Sequence, residues 1–159
     1  MERVNKILEH PLFQDYQKRL DALERNRIFC KHGFEHAISV ARILYIMVLE
    51  QGLAYTKSVI YGTALLHDLG RVQQYENGTP HDEASVKIAK QVLEDCGYVK
   101  EEIDIMLTAI HGHRQDDVLQ DSFSLLFYKA DKISRECYHC EAADDCYWAQ
   151  EKRNHTIRY

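Results

Sequence analysis

His67 and Asp68 stand side by side at the end of an apolar run, Val59-Ile60-Tyr61-Gly62-Thr63-Ala64-Leu65-Leu66. A neutral imidazole beside a carboxylate offers one metal ion two ligands of different hardness. Burying that pair without a metal or other partners is costly. Isolated histidines and a further aspartate lie where helical spacing turns them toward the same interior. His36 shares a face with Val40, Ile43 and Met47, and His81 with Ser85, Ile88 and Val92. His111 continues a line through Ile103 and Leu107, and Asp131 one through Phe123 and Phe127. Each sits at or near a helix end. Polar helix ends converging on one point are how a helical bundle builds a metal site. A lone histidine on an apolar face is more often a satisfied core residue; the set of His36, His67, Asp68 and Asp131 is harder to assign to chance.

A second cluster lies in the tail, where Cys137-Tyr138-His139-Cys140 is followed by Cys146. Two thiolates separated by two residues can grip one soft metal, and a third nearly completes a tetrahedron. Cys30, His139 or His155 could supply the fourth ligand. Cys30 is favoured because it precedes His32 and His36 and so lies near the bundle end where Asp131 emerges. A structural Zn fits this spacing better than an iron–sulfur cluster. The plainer alternative is a set of small buried thiols. Cys96 stands alone as a packing residue, and Tyr147 and Trp148 are expected to pack the tail onto the bundle.

The elements that must position these groups are helical throughout. Apolar residues recur at helical spacing and no alternating strand pattern persists. The pattern predicts helices over 11–23, 34–50 and 58–66, with 34–50 apolar nearly all round and therefore central. Residues 70–79 read as a loop with an Asn77-Gly78 turn. Thr79-Pro80-His81-Asp82 reads as a helix start, with Thr79 as cap and proline at the first position; that helix runs to Asp95 and stops at Gly97. Further helices are expected over 101–110 and 122–134, separated by a polar loop at 111–121. One short helix is expected around 144–152. The reading is a single all-α bundle over 1–134, with a cysteine-rich tail over 135–159 packed on the same domain.

Composition agrees with that reading. The chain has 159 residues, enough for one domain with a real core. Two prolines and seven glycines argue against a loop-rich or all-β fold. A formal charge of −5 gives no reason to expect nucleic acid as a partner. No uncharged apolar stretch is long enough to span a membrane, so no membrane association is expected. Five cysteines without an export signal point to a reducing cytoplasm.

Taken in order, His36-Ala37-Ile38-Ser39-Val40-Ala41, then Leu65-Leu66-His67-Asp68-Leu69-Gly70-Arg71, then Ala130-Asp131-Lys132-Ile133-Ser134 resembles the HD superfamily of metal-dependent phosphohydrolases. The resemblance spans roughly residues 30–135. It implies an all-helical fold and metal ligation by His36, His67, Asp68 and Asp131. His81-Asp82-Glu83-Ala84-Ser85 and Ala109-Ile110-His111-Gly112-His113 fall where the dinuclear members carry extra ligands. This pattern is similar to the HD-type hydrolases of dinucleoside tetraphosphates. The resemblance then adds His81 and His111 as ligands and makes Asp68 a bridge between two ions. His113 is left as a neighbour of the metals, a substrate contact or a surface residue.

The implied activity is hydrolysis of a phosphate ester or phosphoanhydride in a small molecule, with a nucleotide as the expected substrate, by water activated at the metals. A paired site can generate hydroxide at neutral pH and neutralise phosphoryl charge. Mixed His and carboxylate ligands suit Fe, Mn, Zn, Co or Ni better than Ca or Mg. Arg71 resembles a phosphate clamp with a bidentate fork, and Lys132 and Arg114 are further candidates. Asp68, Arg71 and Lys132 are thus the expected catalytic groups. Three subfamily signatures are missing. Gly70-Arg71-Val72 lacks the acids of the stringent-response and nucleoside-monophosphate hydrolases, and His111-Gly112-His113-Arg114 does not match the cyclic-di-GMP class. No separate general acid is evident. The alternative reading is a catalytically silent HD module that senses metal or ligand, or serves as an interaction domain.

Overall fold

α4 (Lys57–Leu66) is the helix around which the rest is arranged. Val59, Ile60, Gly62, Thr63, Ala64, Leu65 and Leu66 are all buried, so its apolar surface goes nearly all round. Thr56 caps it, its hydroxyl accepting the Val59 N–H at 3.3 Å. A helix apolar on every side must be covered on every side. α1 (Glu2–Glu9), α3 (Phe34–Glu50), α6 (His81–Asp95) and α7 (Lys100–Gly112) all pack against it. α8 (Ser122–Ile133) lies against α3 and α7, and α2 (Pro11–Leu23) packs on α1 and on α5 (Arg71–Asn77). This computed structural model describes residues 1–114 and 121–159; among the described residues there is no strand. The chain is an all-α bundle with one continuous core. No helix among the described residues is long and apolar enough to cross a membrane.

Four features depart from the expected elements. The central position falls to α4 rather than to residues 34–50. α3 buries only a stripe, Ala37, Val40, Ala41, Leu44, Met47 and Val48, while Ile46 and Leu49 face outward. Residues 70–79 are mostly helical: α5 carries one buried apolar residue, Val72, too few to print a helical period. α1 is a further helix, beyond those expected: Val4, Ile7 and Leu8 do fall at helical spacing, but over eight residues the pattern is too short to mark a helix. At the start of α6, Pro80 is the cap residue, and Thr79 bonds back to the Asn77 side chain.

Of the short helix expected over 144–152 only a 3-10 turn at Gln150–Lys152 forms, a fifth departure, and a second 3-10 turn lies at Cys137–His139. Ala142 is the one described residue beyond Arg135 that is buried, so apolar packing does little for this segment. Backbone carbonyls hold it instead. The Arg153 guanidinium donates to Ala143, Cys146 and Trp148, and the Asn154 amide to Lys132, Ile133 and Arg135. Tyr147, 73% exposed, meets the Phe29 ring edge-on at 5.8 Å.

The join between α4 and α6 sets the site. Gly70 sits in the turn that follows Asp68, and an added Cβ there would lie 2.2 Å from the His81 carbonyl oxygen and 2.4 Å from the Ser85 nitrogen. Only a residue without a side chain lets the turn pass this close to the first turn of α6. The Gly70 N–H uses the approach by donating to Ser85 Oγ at 2.9 Å.

Candidate metal centre

His67 and Asp68 end α4 with both side chains buried. The His67 Nδ1–H donates to the Ala64 carbonyl at 2.7 Å, which fixes the tautomer and leaves Nε2 with its lone pair inward. That Nε2 faces Asp68 Oδ2 at 3.0 Å, and among the described residues neither atom has a hydrogen-bond partner. A buried lone pair set against a buried carboxylate oxygen calls for a cation. Without a metal that cation is a proton: burial opposes protonation of His67 at Nε2, but the Asp68 charge overrides it and raises the pKa, and a metal would take the proton's place. Burial likewise opposes the Asp68 charge, and His67 with Arg71 holds the carboxyl well below the usual range.

Two groups of ligand atoms share Asp68. His36, His67 and Asp68 present atoms that all lie within 4.8 Å of one another, and so do Asp68, His81 and His113. On the first side His36 Nε2 lies 3.5 Å from Asp68 Oδ2 and 3.1 Å from Asp131 Oδ1. On the second side Asp68 Oδ1 lies 3.5 Å from His81 Nε2 and 3.8 Å from His113 Nε2, and those nitrogens are 3.1 Å apart. Ligands about 2.1 Å from one ion and at right angles stand about 3 Å apart. The spacings fit that value without rearrangement of the fold. Asp68 offers one oxygen to each group, the disposition of a bridging carboxylate.

The histidines of the second group are held through their Nδ1 atoms. His113 Nδ1–H donates to the Ile110 carbonyl at 2.5 Å, and His81 Nδ1–H to Gln74 Oε1 at 2.8 Å, so both aim Nε2 at Asp68. Burial and the nearby Arg71 charge push His81 down to about 3. Burial and the His67 charge push His113 down to about 4. Both are neutral near pH 7, the form that binds a metal.

Cations surround the carboxylates. The Arg71 Nε–H donates to Asp68 Oδ1 at 2.8 Å. Lys132 Nζ donates to Asp131 Oδ2 at 2.7 Å, and Arg135 Nη2 donates to Asp131 Oδ1 at 3.2 Å while standing 3.5 Å from His36 Nε2. Burial would raise the Asp131 carboxyl, but Arg135, the His36 hydrogen bond and Lys132 hold it well below the carboxylate range. Arg71 and Lys132 thus contact ligand carboxylates directly. Arg114, the third cation considered, instead donates to Asp82 at 2.9 Å.

The structure gathers five of the six expected ligands, His36, His67, Asp68, His81 and Asp131, and sets His111 apart. The His111 side chain is 66% exposed, with Nδ1 4.0 Å from Asp82 Oδ2. The buried stripe of α7 runs Ile103, Met106, Ile110 and on to His113, whereas Leu107 is only partly buried. Following Leu107 therefore leads to the outer face, and following Met106 leads to His113. Residues 115–120, within the expected loop, lie outside the described residues.

Of the tail cysteines, Cys137 and Cys140 line the same cavity as Cys30, His139 and His36. All four expected sulfur ligands, Cys146 included, are free and half-buried. Among the described residues, the groups of three metal-capable atoms within 4.8 Å contain no cysteine.

Sequence reasoning also passed over two buried pairs. Glu24 receives the His32 backbone N–H, the His32 Nδ1–H and the Tyr75 hydroxyl, each at 2.6 Å. Burial pushes His32 down to about 4, so it donates as a neutral ring. Arg135 follows Asp131 by one helical turn, a spacing that pairs opposite charges; that was its one visible signal.

Comparison with known proteins agrees with this geometry. Residues 33–136 match the HD domain family. An uncharacterized protein of Clostridium beijerinckii is 45% identical over 159 residues, all of both chains. Ribonuclease Y of Staphylococcus epidermidis is 29% identical over 129 residues, and that of Nitratidesulfovibrio vulgaris 28% over 125 residues. Those matches cover 81% and 79% of this chain but only 23% and 22% of the ribonucleases. No solved structure matches the chain significantly.

Proposed function

This chain belongs to the HD domain family, and on that premise we propose that it is a dinuclear metal-dependent phosphohydrolase acting on a small phosphorylated molecule, a nucleotide above all. The observation that carries the reading is the pair of orphaned atoms, His67 Nε2 and Asp68 Oδ2, 3.0 Å apart at the meeting of two ligand groups. Asp68 would be shared between the two ions, with His36, His67 and Asp131 holding one and His81 and His113 the other. A mixed imidazole and carboxylate set of this kind takes Fe, Mn, Zn, Co or Ni.

When bound, such ions supply a nucleophile at neutral pH and charge to hold phosphoryl oxygens. The protein's part is positioning. Carbonyls of Ala64 and Ile110 and the Gln74 amide fix three imidazoles. Arg71, only 18% exposed along its side chain, keeps Asp68 ionised and oriented. Its planar fork also suits a phosphoryl group once the carboxylate is committed to metal. Lys132 does the same for Asp131 from the other flank.

The ribonuclease Y relatives bring a polymeric phosphodiester into consideration. A chain of net charge −5 draws a polyanion poorly, which favours the small substrate. The test is turnover of a nucleotide panel, p-nitrophenyl phosphates and a short single-stranded RNA with Mn, Fe or Co. Activity on nucleotides that vanishes in Asp68→Ala supports the reading. Turnover of RNA alone replaces its substrate, and no turnover by metal-loaded protein across the panel refutes it in favour of a silent HD module.

A further inference from the structure

A cavity of about 940 Å³ opens beside the metal centre, between the loop that joins α2 to α3 and the start of the tail. His36 and Arg135, both beside Asp131, line it, together with Arg25, Lys31, Phe29 and Phe34. Its size suits a nucleotide-sized ligand and far exceeds what inorganic phosphate fills.

Arg135 is the unusual member. It is 6% exposed; its buried Nε–H has no geometric hydrogen-bond partner among the described residues, and the guanidinium's remaining side-chain neighbour, the Cys30 thiol, is only a weak acceptor. One edge of the guanidinium is committed to Asp131, with Nη2 at 3.2 Å. Burying an arginine with an unsatisfied donor costs free energy that a purely structural ion pair does not require. Arg135 stands within 3.5 Å of one metal-ligand nitrogen and also lines the cavity. A group that contacted both a metal on Asp131 and this fork would have to be a multidentate anion, and phosphate has the matching geometry.

We propose that Arg135 is the anion anchor of this cavity, holding the substrate's phosphate at the metal edge while the rest of the substrate lies outward between Phe29 and Phe34. This rests on the hydrolase reading and deepens it. Asp21, Glu24, Glu35 and Glu136 also line the cavity. Four carboxylates against the three cations Arg25, Lys31 and Arg135 disfavour a polyanionic strand. They suit a ligand with one phosphorylated end and a body rich in hydrogen-bond donors, such as a nucleobase and a ribose.

Cys30 reports on the anchor, because it lines the cavity and its sulfur is near enough to Arg135 to act on the guanidinium charge. The experiment is maleimide labelling of metal-loaded protein, read cysteine by cysteine by mass spectrometry. It compares inorganic phosphate and adenosine monophosphate with chloride at equal ionic strength. Phosphate and the nucleotide are expected to slow labelling of Cys30 about tenfold at saturation and to leave Cys146, which does not line the cavity, unchanged. Arg135→Gln and Arg135→Lys are expected to weaken the protecting anion by about tenfold or more, the worth of one charge-assisted hydrogen bond. Metal content is measured on the same samples. A variant that holds its metal and still protects Cys30 at the wild-type phosphate concentration overturns the proposal. So does wild-type Cys30 that neither anion protects. If a variant loses metal, metal-free wild type is compared with it, and wild type that phosphate protects no better than the variant overturns the proposal as well. Protection without turnover keeps the anchor and removes the hydrolase; turnover without protection does the reverse.

Discussion

Replacing Gly70 by alanine tests how the two halves of the metal centre are brought together. The added methyl would stand 2.2 Å from the His81 carbonyl oxygen, 2.4 Å from the Ser85 nitrogen and 2.8 Å from Ala84 Cβ. Two of the three obstacles are backbone, so no side-chain rotation relieves them. To reach ordinary contact the turn and the first turn of α6 must part by about 1 Å, because overpacking is relieved only by backbone shifts. Such overpacking costs about 1–3 kcal/mol. Losing the buried Gly70 N–H to Ser85 Oγ bond adds about 1 kcal/mol. The sum, roughly 2–4 kcal/mol, corresponds to a Tm about 5–15 °C lower for a domain of this size. The same displacement carries His81 away from Asp68 Oδ1, which it now meets at 3.5 Å. Affinity for the second ion should therefore fall more than affinity for the first. Thermal denaturation with and without Mn, together with metal content, reads both effects. A Gly70→Ala protein that melts within a degree of wild type and retains both ions would refute the reasoning.

Three further outcomes follow. Metal-free protein should lose stability as pH falls from about 6.5 to about 4. In that window the unfolded histidines take up protons that folded His32, His81 and His113 refuse, their pKa values lying at about 4, 3 and 4. Each contributes up to about 1 kcal/mol per pH unit; His67, whose pKa is raised, is protonated in both states there and adds nothing. Urea denaturation at stepped pH checks it, and an unfolding midpoint flat between pH 7 and 4.5 would contradict it. Arg135→Ala strips a guanidinium from the buried Asp131, so it should destabilise metal-free protein by about 3–5 kcal/mol and metal-loaded protein by visibly less, as compared by calorimetry. Arg153→Ala removes three bonds to tail carbonyls; hydrogen exchange should speed up over 137–150 while the α4 core stays protected, and unchanged tail exchange would count against the clamp.

The helical architecture was legible because burial writes itself as a period. α3, α6, α7 and α8 each carry several buried residues on one face, α4 is apolar nearly all round and α2 is a longer amphipathic segment, and their bounds fall within a few residues of the expected ones. α1 and α5, at eight and seven residues, are too short for a period to stand out, and the tail is shaped by Arg153 and Asn154, whose carbonyl partners no pattern announces. The candidate site was legible for the same reason as the helices. His36, His67, His81 and Asp131 extend buried stripes inward. α7 offers two lines only one residue apart in register, one ending at His111 and one at His113. Which of them faces the core depends on packing against α4 and α8 rather than on hydrophobicity, because Leu107 and Met106 are equally apolar. Arg135 and the Glu24–His32 pair were hidden because charged residues are ordinarily surface residues; only their partners in space show why these are buried.

The central claim is that Asp68 joins two ions, with His113 and not His111 on the second. Metal per chain, counted by mass spectrometry on anaerobically prepared protein loaded with Mn or Fe, tests it most directly. The cysteine tail is taken out of the count by using Cys137→Ser/Cys140→Ser protein. The account predicts two ions in that background and in His111→Ala, one in His113→Ala, and fewer than one in Asp68→Ala. Two ions surviving in His113→Ala, with one lost in His111→Ala, would contradict it.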